Sequence, residues 1–267
     1  MFPLGKAESS VVLKTIHSLT PHIPALTMAY AYKEAILPIS LTPVQRPEHG
    51  LTLEMEMLNH AVASGTRLAL IWQAETPGLV LPERFTRDPL FEAAARSSAA
   101  RDWPVVGRKT GGGITPQGPG VLNLALCFTA CTGQSRAILP GYAKIVDPLR
   151  DAFARLGVTA EATPVEGSFC DGDYNLAVDG RKLVGTAQRW RGHTCLIHAL
   201  ILTDIDLDPA VEAVATFSRE LGHDTIFDAS VHCRLADLIP NIADLTKTTV
   251  TALDKTVTDA GYAPFAA

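Results

Sequence analysis

The sequence predicts an α+β protein, a single domain with a mixed β-sheet flanked by helices. Three observations lead to this class. The 267 residues are 47% hydrophobic, which is enough to bury a large core. Short apolar runs typical of buried strands follow amphipathic helical segments without a regular repeat. The segment 174–186 indicates a β-hairpin, with Asp179 and Gly180 as its two-residue turn.

The sequence predicts an N-terminal segment followed by one domain. Residues 1–48 are rich in proline, and two interpretations fit them, an N-terminal arm or an extra strand of the main domain. We assign residues 49–267 to one domain, because no internal repeat, low-complexity tract or linker divides them.

The helices and strands of this domain are predicted from periodicity and from terminal residues. Glycines end two helices at positions 65 and 157, and Asp208 with Pro209 indicates the start of another. The predicted helices span 51–64, 90–99, 142–156, 209–221 and 244–258, and the predicted strands outside the hairpin span 67–72, 105–109, 121–130 and 193–202.

The hairpin fixes the positions of its side chains. An Asp-Gly turn of type I′ places Lys182 opposite Ala177, one diagonal step from Asn175. Strict alternation puts Arg181, Leu183 and Gly185 on one face and Lys182, Val184 and Thr186 on the other.

Composition excludes several classes of function. A net charge of −5 gives no basic field for nucleic acid, so we expect small molecules or proteins as partners. The five cysteines lack the spacing of a metal site, and we interpret most of them as reduced, buried thiols. No apolar run approaches the length of a membrane span and no signal-peptide pattern is present, so we expect a soluble, cytoplasmic protein without membrane contacts.

Polar residues between and within the strands suggest a site, although each has two interpretations. Arg108 and Lys109 lead into Thr110 and three glycines, Gly111–Gly113, which is either a flexible loop or a cradle for a carboxylate or phosphate. Asn123, inside an apolar strand, either satisfies a neighbouring backbone group or faces a ligand.

Cys170 and Lys182 flank the first strand of the hairpin. Lys182 is either an exposed strand lysine or a fixed charge, and Cys170 is either a buried apolar residue or a nucleophile that a nearby cation ionises. Four histidines follow the hairpin in the sequence, and we assign a catalytic role to none of them. His193 and His198 are predicted on opposite faces of one strand, and His223 and His232 are interpreted as loop or rim residues without named partners.

Three segments in order resemble the biotin/lipoate protein ligase and transferase family: RKTGGG from residue 108, GVLNLAL from 120 and DYNLAVDGRKLVGTAQRWRGHTCLI from 173. The resemblance spans residues 51–267 and is tightest over 105–202. It implies the catalytic-domain fold of that family. It also implies that Lys182 is the essential lysine that contacts the activated carboxyl group. The implied substrate-binding set is Arg108, Thr110, Gly111, Gly112, Gly113, Asn123, Asn175, Thr186 and Gln188.

The segment SFCDGDYNL resembles the SFCPGxYDL of the family's amidotransferase branch, and Cys170 matches its thioester-forming cysteine. Two positions depart from the family. Asp171 replaces the proline of that branch, and Gln117 occupies the place of a histidine that ATP-using ligases carry. The GRGR signature of biotin ligases is absent, which makes biotin the least expected cargo.

The resemblance therefore implies a lipoyl or octanoyl protein acyltransferase that acts through Cys170 and needs no cofactor, with the acyl chain in an apolar tunnel beside the 121–126 strand. Its acceptor would be a lysine of a lipoyl-domain protein or of a glycine-cleavage H-type carrier. Two alternatives stay open. One is an ATP- and Mg²⁺-dependent lipoate ligase working through an acyl-adenylate, with or without a small accessory subunit; the other is a family member that binds lipoyl groups without transferring them.

Overall fold

The computed structural model describes residues 37–130 and 138–266. Most of the predicted N-terminal arm, residues 1–36, and Cys131 lie outside the described residues. The described strands, numbered in chain order, are β1 (Leu41–Val44), β2 (Leu68–Ala74), β3 (Gly78–Pro82), β4 (Val105–Arg108), β5 (Thr115–Gln117), β6 (Val121–Thr129), β7 (Glu161–Ala162), β8 (Leu176–Val178), β9 (Arg181–Arg191), β10 (Thr194–Leu202) and β11 (Ala263–Pro264).

The described helices have the following bounds: α1 (Pro47–Ser64), α2 (Phe91–Ala99), α3 (Ile138–Arg155), α4 (Leu207–Glu220), α5 (Leu235–Leu238) and α6 (Leu245–Asp259). The predicted helices are confirmed. Gly65 ends α1 in the left-handed conformation (φ 71°). Three starts are wrong: α1 begins at residue 47 rather than 51, α3 at 138 rather than 142, and α4 two residues before Pro209, after Asp206 rather than Asp208.

A mixed sheet of eight strands forms the centre of the fold. Seven of its strands run in the order β1-β2-β6-β10-β9-β8-β7, and β11 also pairs with β2. The pairs of β2 with β1 and with β11 are parallel and the other pairs are antiparallel. Since Leu41–Val44 is the first of these strands, the described end of the predicted 1–48 segment contributes a strand to this sheet. A second, three-stranded sheet has the order β4-β3-β5.

Each face of the large sheet is covered by a separate apolar cluster. On one face, Ile71, Leu124 and Ile197 pack with Leu149 of α3 and Leu253 of α6. On the other face, α1 covers Leu70, Trp72 and Leu196. The second sheet packs with α2 and α4 around a third cluster. The predicted α+β class, with a mixed sheet flanked by helices, is confirmed.

The hairpin has the predicted turn and one feature that alternation does not predict. Asp179 (φ 50°) and Gly180 (φ 72°) form the turn, and Ala177 pairs with Lys182 as expected. Leu176 pairs with Val184, so that the intervening Leu183 is an extra residue, a β-bulge. The predicted strict alternation is therefore wrong: Leu183 and Val184 both enter one apolar cluster, and Gly185 lies on the side of Lys182.

Candidate active site

Cys170 lies in a tight bend that precedes β8. Its backbone has φ 49°, a left-handed conformation that a cysteine seldom adopts. Two side chains hold the bend. Asn175 donates from Nδ2 to the carbonyl oxygen of Cys170 over 3.0 Å. Oδ1 of Asp171 accepts hydrogen bonds from the backbone N–H groups of Val165 (2.7 Å) and Gly172 (2.8 Å). Asp171, which stands where the amidotransferase branch has a proline, therefore closes the bend around the thiol.

The glycine loop between β4 and β5 approaches the sulfur of Cys170 directly. The backbone N–H of Gly113 donates to Sγ over 3.1 Å. A Cβ atom at Gly112 would lie 2.8 Å from Sγ, and one at Gly113 would lie 3.1 Å from the Cα of Cys170. Side chains at these two positions would therefore push the loop away from the thiol, which accounts for glycine there.

Arg108 is fixed beside the same sulfur. It is buried, and its Nη2 lies 3.9 Å from Sγ. The guanidinium donates to the carbonyl oxygens of Val80, Gly111 and Gly113. These bonds hold the side chain in one orientation, so the positive charge of Arg108 stays beside the thiol of Cys170.

Lys182 is fully buried, so the interpretation as an exposed strand lysine is wrong. Its Nζ donates to the carbonyl oxygen of Phe169 and, over 2.8 Å, to that of Cys170. Burial lowers the pKa of Lys182 to about 8, and the negative charges of Cys170 and Asp171 partly offset that burial. The ammonium supports the bend from behind, and Lys182 is not among the residues that line the cavity in front of Cys170.

The thiol of Cys170 differs from the three other described thiols. Burial opposes its ionisation, but the positive charges of Lys182 and Arg108 and the hydrogen bond from Gly113 outweigh burial and lower its pKa. Burial raises the pKa values of the other three. The pKa of Cys195 rises to about 12 and that of Cys233 to about 11, and the pKa of Cys127 is raised as well. Among the described cysteines, Cys170 is thus the one whose pKa is lowered.

A narrow cavity of about 20 Å³ lies in front of Cys170. Such a volume holds about one water molecule, so the predicted open tunnel for an acyl chain is not formed in this structure. A neighbouring cavity of about 260 Å³ shares Leu51 and Arg108 with it. The residues that line the narrow cavity are Leu51, Trp72, Val80, Arg108, Thr115, Gln117, Asn123, Cys170, Gly185, Thr186, Ala187, His198 and Leu200.

Asn123 and Gln117 form a buried amide pair in the wall of this cavity. Each side-chain nitrogen donates to the oxygen of the other over 2.8 Å. Asn123 therefore faces the cavity, and its side-chain amide forms hydrogen bonds with another side chain rather than with the backbone. Gln117, noted as a departure from the ATP-using ligases, is committed to this pair.

The structure divides the other predicted site residues. Thr186 is among the residues that line the cavity, whereas Gln188 is not, and the side-chain oxygen of Gln188 accepts from the sulfur of Cys195 over 3.6 Å. The predicted role of Gln188 in the cavity floor is thus not supported by its position. Asn175 likewise lies outside the lining, where it holds the bend of Cys170. Thr110 contacts a histidine, His198.

That histidine belongs to a network that the sequence analysis missed. Nδ1 of His198 lies 2.8 Å from Oε2 of Glu54, whose Oε1 accepts from Nε1 of Trp72 over 2.9 Å. One signal for Glu54 was available. It sits on the helical face of α1 that also buries Gly50 and Met57, where a carboxylate is out of pattern. A Cβ at Gly50 would lie 2.4 Å from the Trp72 ring, so this glycine lets the indole reach Glu54.

The rim interpretation of His232 is wrong. The residue is 2% exposed and its ring stacks on Phe169, with ring centres 4.4 Å apart. Nε2 accepts from the backbone N–H of Phe169 over 3.3 Å, and Nδ1 donates to the carbonyl oxygen of Asp228. Burial lowers the pKa of His232 to about 4, with the charge of Lys182 acting in the same direction. A neutral His232 therefore supports the residue preceding Cys170.

Within residues 37–130 and 138–266, no helix has the length and apolar character needed to cross a membrane. The same part of the chain contains no group of three or more histidine, cysteine or acidic side chains that would hold a metal ion.

Two known proteins are similar to this chain in sequence. An uncharacterized protein of Cupriavidus necator is 37% identical over 165 residues, which cover 56% of this chain and 64% of that protein. The octanoyl-[GcvH]:protein N-octanoyltransferase of Kyrpidia tusciae is 30% identical over 145 residues, 54% of this chain and 49% of the relative. The chain thus spans about half to two thirds of the length of these relatives.

Solved structures share the fold. A lipoate-protein ligase A bound with ATP aligns with a TM-score of 0.65 at 13% identity, over 86% of this chain and 88% of the other. A putative lipoate protein ligase from T. acidophilum with bound lipoic acid has a TM-score of 0.62 at 13% identity, over 85% and 88%. At such identities the likeness is evidence of fold. The model of the lipoyl protein ligase A/B catalytic domain matches residues 46–259 of this chain, which therefore belongs to that family.

Proposed function

We propose that the protein transfers an octanoyl or lipoyl group to a lysine of a lipoyl-domain protein, through a thioester on Cys170 and without ATP. The observation that carries the proposal is the surroundings of the Cys170 sulfur. One backbone N–H group and two buried cations face it, and its pKa is lowered despite burial. Such surroundings are those of a catalytic thiolate.

The names of relatives support octanoate or lipoate as the transferred group and a GcvH-type carrier as the partner. Proteins from K. tusciae and Listeria monocytogenes that match about half of this chain carry the names of an octanoyl- and a lipoyl-[GcvH]:protein transferase. We infer that a GcvH-type carrier is the acyl donor or acceptor of this chain as well. Octanoate or lipoate would then be the transferred group.

In the first half-reaction, the thiolate of Cys170 attacks the carbonyl carbon of the acyl donor. A C–S bond forms, the bond to the donor's leaving atom breaks, and the leaving group takes up a proton. Negative charge develops on the carbonyl oxygen during this step. We assign its stabilisation to the backbone N–H groups of Gly111 and Gly112 and, from behind the bend, to the charge of the fully buried Lys182.

In the second half-reaction, the amine of the acceptor lysine attacks the thioester. An amide bond forms, and the C–S bond breaks with its electron pair staying on sulfur. Arg108 and Gly113 would stabilise the thiolate that returns, since both face Sγ in the resting protein. The resting cavity of about 20 Å³ has to widen before an eight-carbon chain enters.

The alternative of an ATP-dependent lipoate ligase differs in its use of nucleotide. In that reaction Cys170 would be a bystander, and Lys182 with the Arg108 loop would contact an adenylate phosphate. The buried pairing of Gln117 with Asn123 favours the transferase, because it occupies the position where ATP-using ligases carry a histidine.

One assay separates these functions. The protein is incubated with an apo lipoyl domain and either an octanoylated GcvH-type carrier or free lipoate, each with and without ATP. Acylation of the domain, lipoate binding and pyrophosphate release are measured. We expect transfer without ATP, no pyrophosphate, and loss of transfer in Cys170→Ala but not in Cys233→Ala. Pyrophosphate release that requires lipoate would support the ligase. Binding of lipoate without any transfer would support a non-catalytic role.

A further inference from the structure

A second polar network reaches the cavity of Cys170 and has no part in the steps above. Its centre is His198 on β10, which lines the cavity. Nδ1 of His198 lies 2.8 Å from Oε2 of Glu54, and Nε2 lies 3.1 Å from Oγ1 of Thr110 in the glycine loop. Glu54 is 2% exposed, and Trp72 donates to its second oxygen. The carboxylate is therefore completely enclosed and satisfied by two donors.

These contacts fix which nitrogen of His198 carries the proton. A carboxylate accepts hydrogen bonds only, so Nδ1 is the protonated nitrogen. In the neutral imidazole Nε2 is then an acceptor, and it receives the hydroxyl of Thr110. An enclosed carboxylate that orients an imidazole in this way also stabilises the imidazolium when Nε2 takes up a second proton.

His198 and Cys170 line the same cavity. His198 pairs across the sheet with Ala187, and the Cβ of Ala187 lies 3.9 Å from the position of a Cβ on Gly112, beside the Cys170 sulfur. The charged or titratable groups around it are Glu54 from α1, Arg108 from β4 and Cys170 from the bend. The guanidinium has no acceptor and the carboxylate already accepts from Trp72 and His198, so Nε2 is the basic atom of this group, and it accepts a proton when it gives up the hydroxyl of Thr110.

We infer that the Glu54–His198 pair moves the proton of the reacting lysine amine in both half-reactions. The inference rests on the proposed function. When the acceptor amine attacks acyl-Cys170, the C–N bond forms, the C–S bond breaks with its electron pair on sulfur, and one N–H proton passes to Nε2. When the donor is an acyl-lysine, the same step runs in reverse: the imidazolium gives its proton to the leaving nitrogen.

Donors with different leaving groups test this role. A thiol leaves readily without a proton, whereas an amine does not. Cys170 acylation is therefore followed by intact-protein mass in a quenched-flow experiment with two donors, the octanoyl thioester of N-acetylcysteamine and an octanoyl-lysine GcvH-type carrier. Transfer from acyl-Cys170 to an apo lipoyl domain is measured separately. The variants are His198→Gln and Glu54→Gln, with His193→Gln, an exposed histidine in the turn just before β10, as the matched control.

We expect both variants to acylate from the thioester within about twofold of the unmodified protein. Acylation from octanoyl-lysine and transfer to the lipoyl domain should each fall by about 100-fold. Equal slowing of all three reactions would mean a purely structural role and overturn the inference, as would unchanged rates throughout. If the unmodified protein forms no acyl-Cys170 from either donor, the proposed function fails and the inference with it.

Discussion

The backbone N–H of Gly113 donates a hydrogen bond to the sulfur of Cys170 over 3.1 Å, although 57 positions separate the two residues. The bond joins the glycine loop after β4 to the bend before β8. Two motifs that are separate in sequence therefore form one site, in which a glycine amide and the buried side chains of Arg108 and Lys182 surround a thiol.

The first prediction concerns the reactivity of that thiol. Iodoacetamide should alkylate Cys170 at a lower pH than Cys195 or Cys233, because its pKa is lowered while theirs are raised. Lys182→Met should move the pH midpoint of Cys170 alkylation upward, since it removes the largest favourable charge. Arg181→Met, one residue away in the hairpin, is the control. Peptide mass spectrometry across pH reports each midpoint, and an unmoved midpoint in Lys182→Met would be inconsistent with this account.

A second prediction concerns the contact between the glycine loop and the bend. Gly112→Ala should lower the free energy of unfolding by about 1 to 3 kcal/mol, because φ is +94° and the new methyl would lie 2.8 Å from the sulfur. Gly111→Ala meets open space and should change stability by less than about 0.5 kcal/mol. Urea unfolding of the two variants gives the comparison, and equal effects would contradict it.

A third prediction addresses the amide pair in the cavity wall. Asn123→Leu leaves the buried amide of Gln117 without its partner and should cost about 1 to 3 kcal/mol. The double variant Asn123→Leu/Gln117→Leu should cost less than the sum of the two single variants. Urea unfolding of all four proteins gives the coupling energy, and strictly additive effects would show that the pair is not a unit.

A fourth prediction follows from His232. Its pKa is about 4 in the folded protein, against an ordinary value of 6.5, so the unfolded chain binds more protons between these values. The stability contribution is complete above pH 6.5 and is lost as the pH falls towards 4, a change on the order of 3 kcal/mol. His232→Gln, which retains an acceptor for Phe169, should flatten the fall measured by urea midpoints between pH 7.5 and 4.5. An equally steep fall in this variant would locate the titration elsewhere.

Much of the fold follows from local sequence signals. The five predicted helices, the long strands and the Asp-Gly turn come from periodicity and terminal residues that act within a few positions, whereas β3, β5, β7 and β11 were not predicted. The bulge at Leu183 does not, because it depends on how β9 pairs with β8 and on which side chains the core accepts. For that reason the facing of Gly185 was predicted wrongly.

The site was predictable where a motif names the residue and not where packing decides its role. Cys170, Lys182 and the three glycines were singled out by their sequence surroundings and by a resemblance, whereas burial of Lys182 against two carbonyl groups depends on the tertiary fold. The contact of Glu54 with His198 spans 144 positions, and no pattern in the chain links the two. Gln188 was misplaced because a motif match does not tell which face of a strand a residue takes.

The central claim is that Cys170 carries the acyl group during transfer. The most direct measurement is a reaction with octanoylated GcvH-type carrier in the absence of ATP and of acceptor, quenched in acid and digested for peptide mass spectrometry. The account predicts one octanoyl group on the peptide containing Cys170, released by hydroxylamine and delivered to an apo lipoyl domain when that domain is added. An unmodified Cys170 peptide, alongside transfer that proceeds at the normal rate, would contradict it.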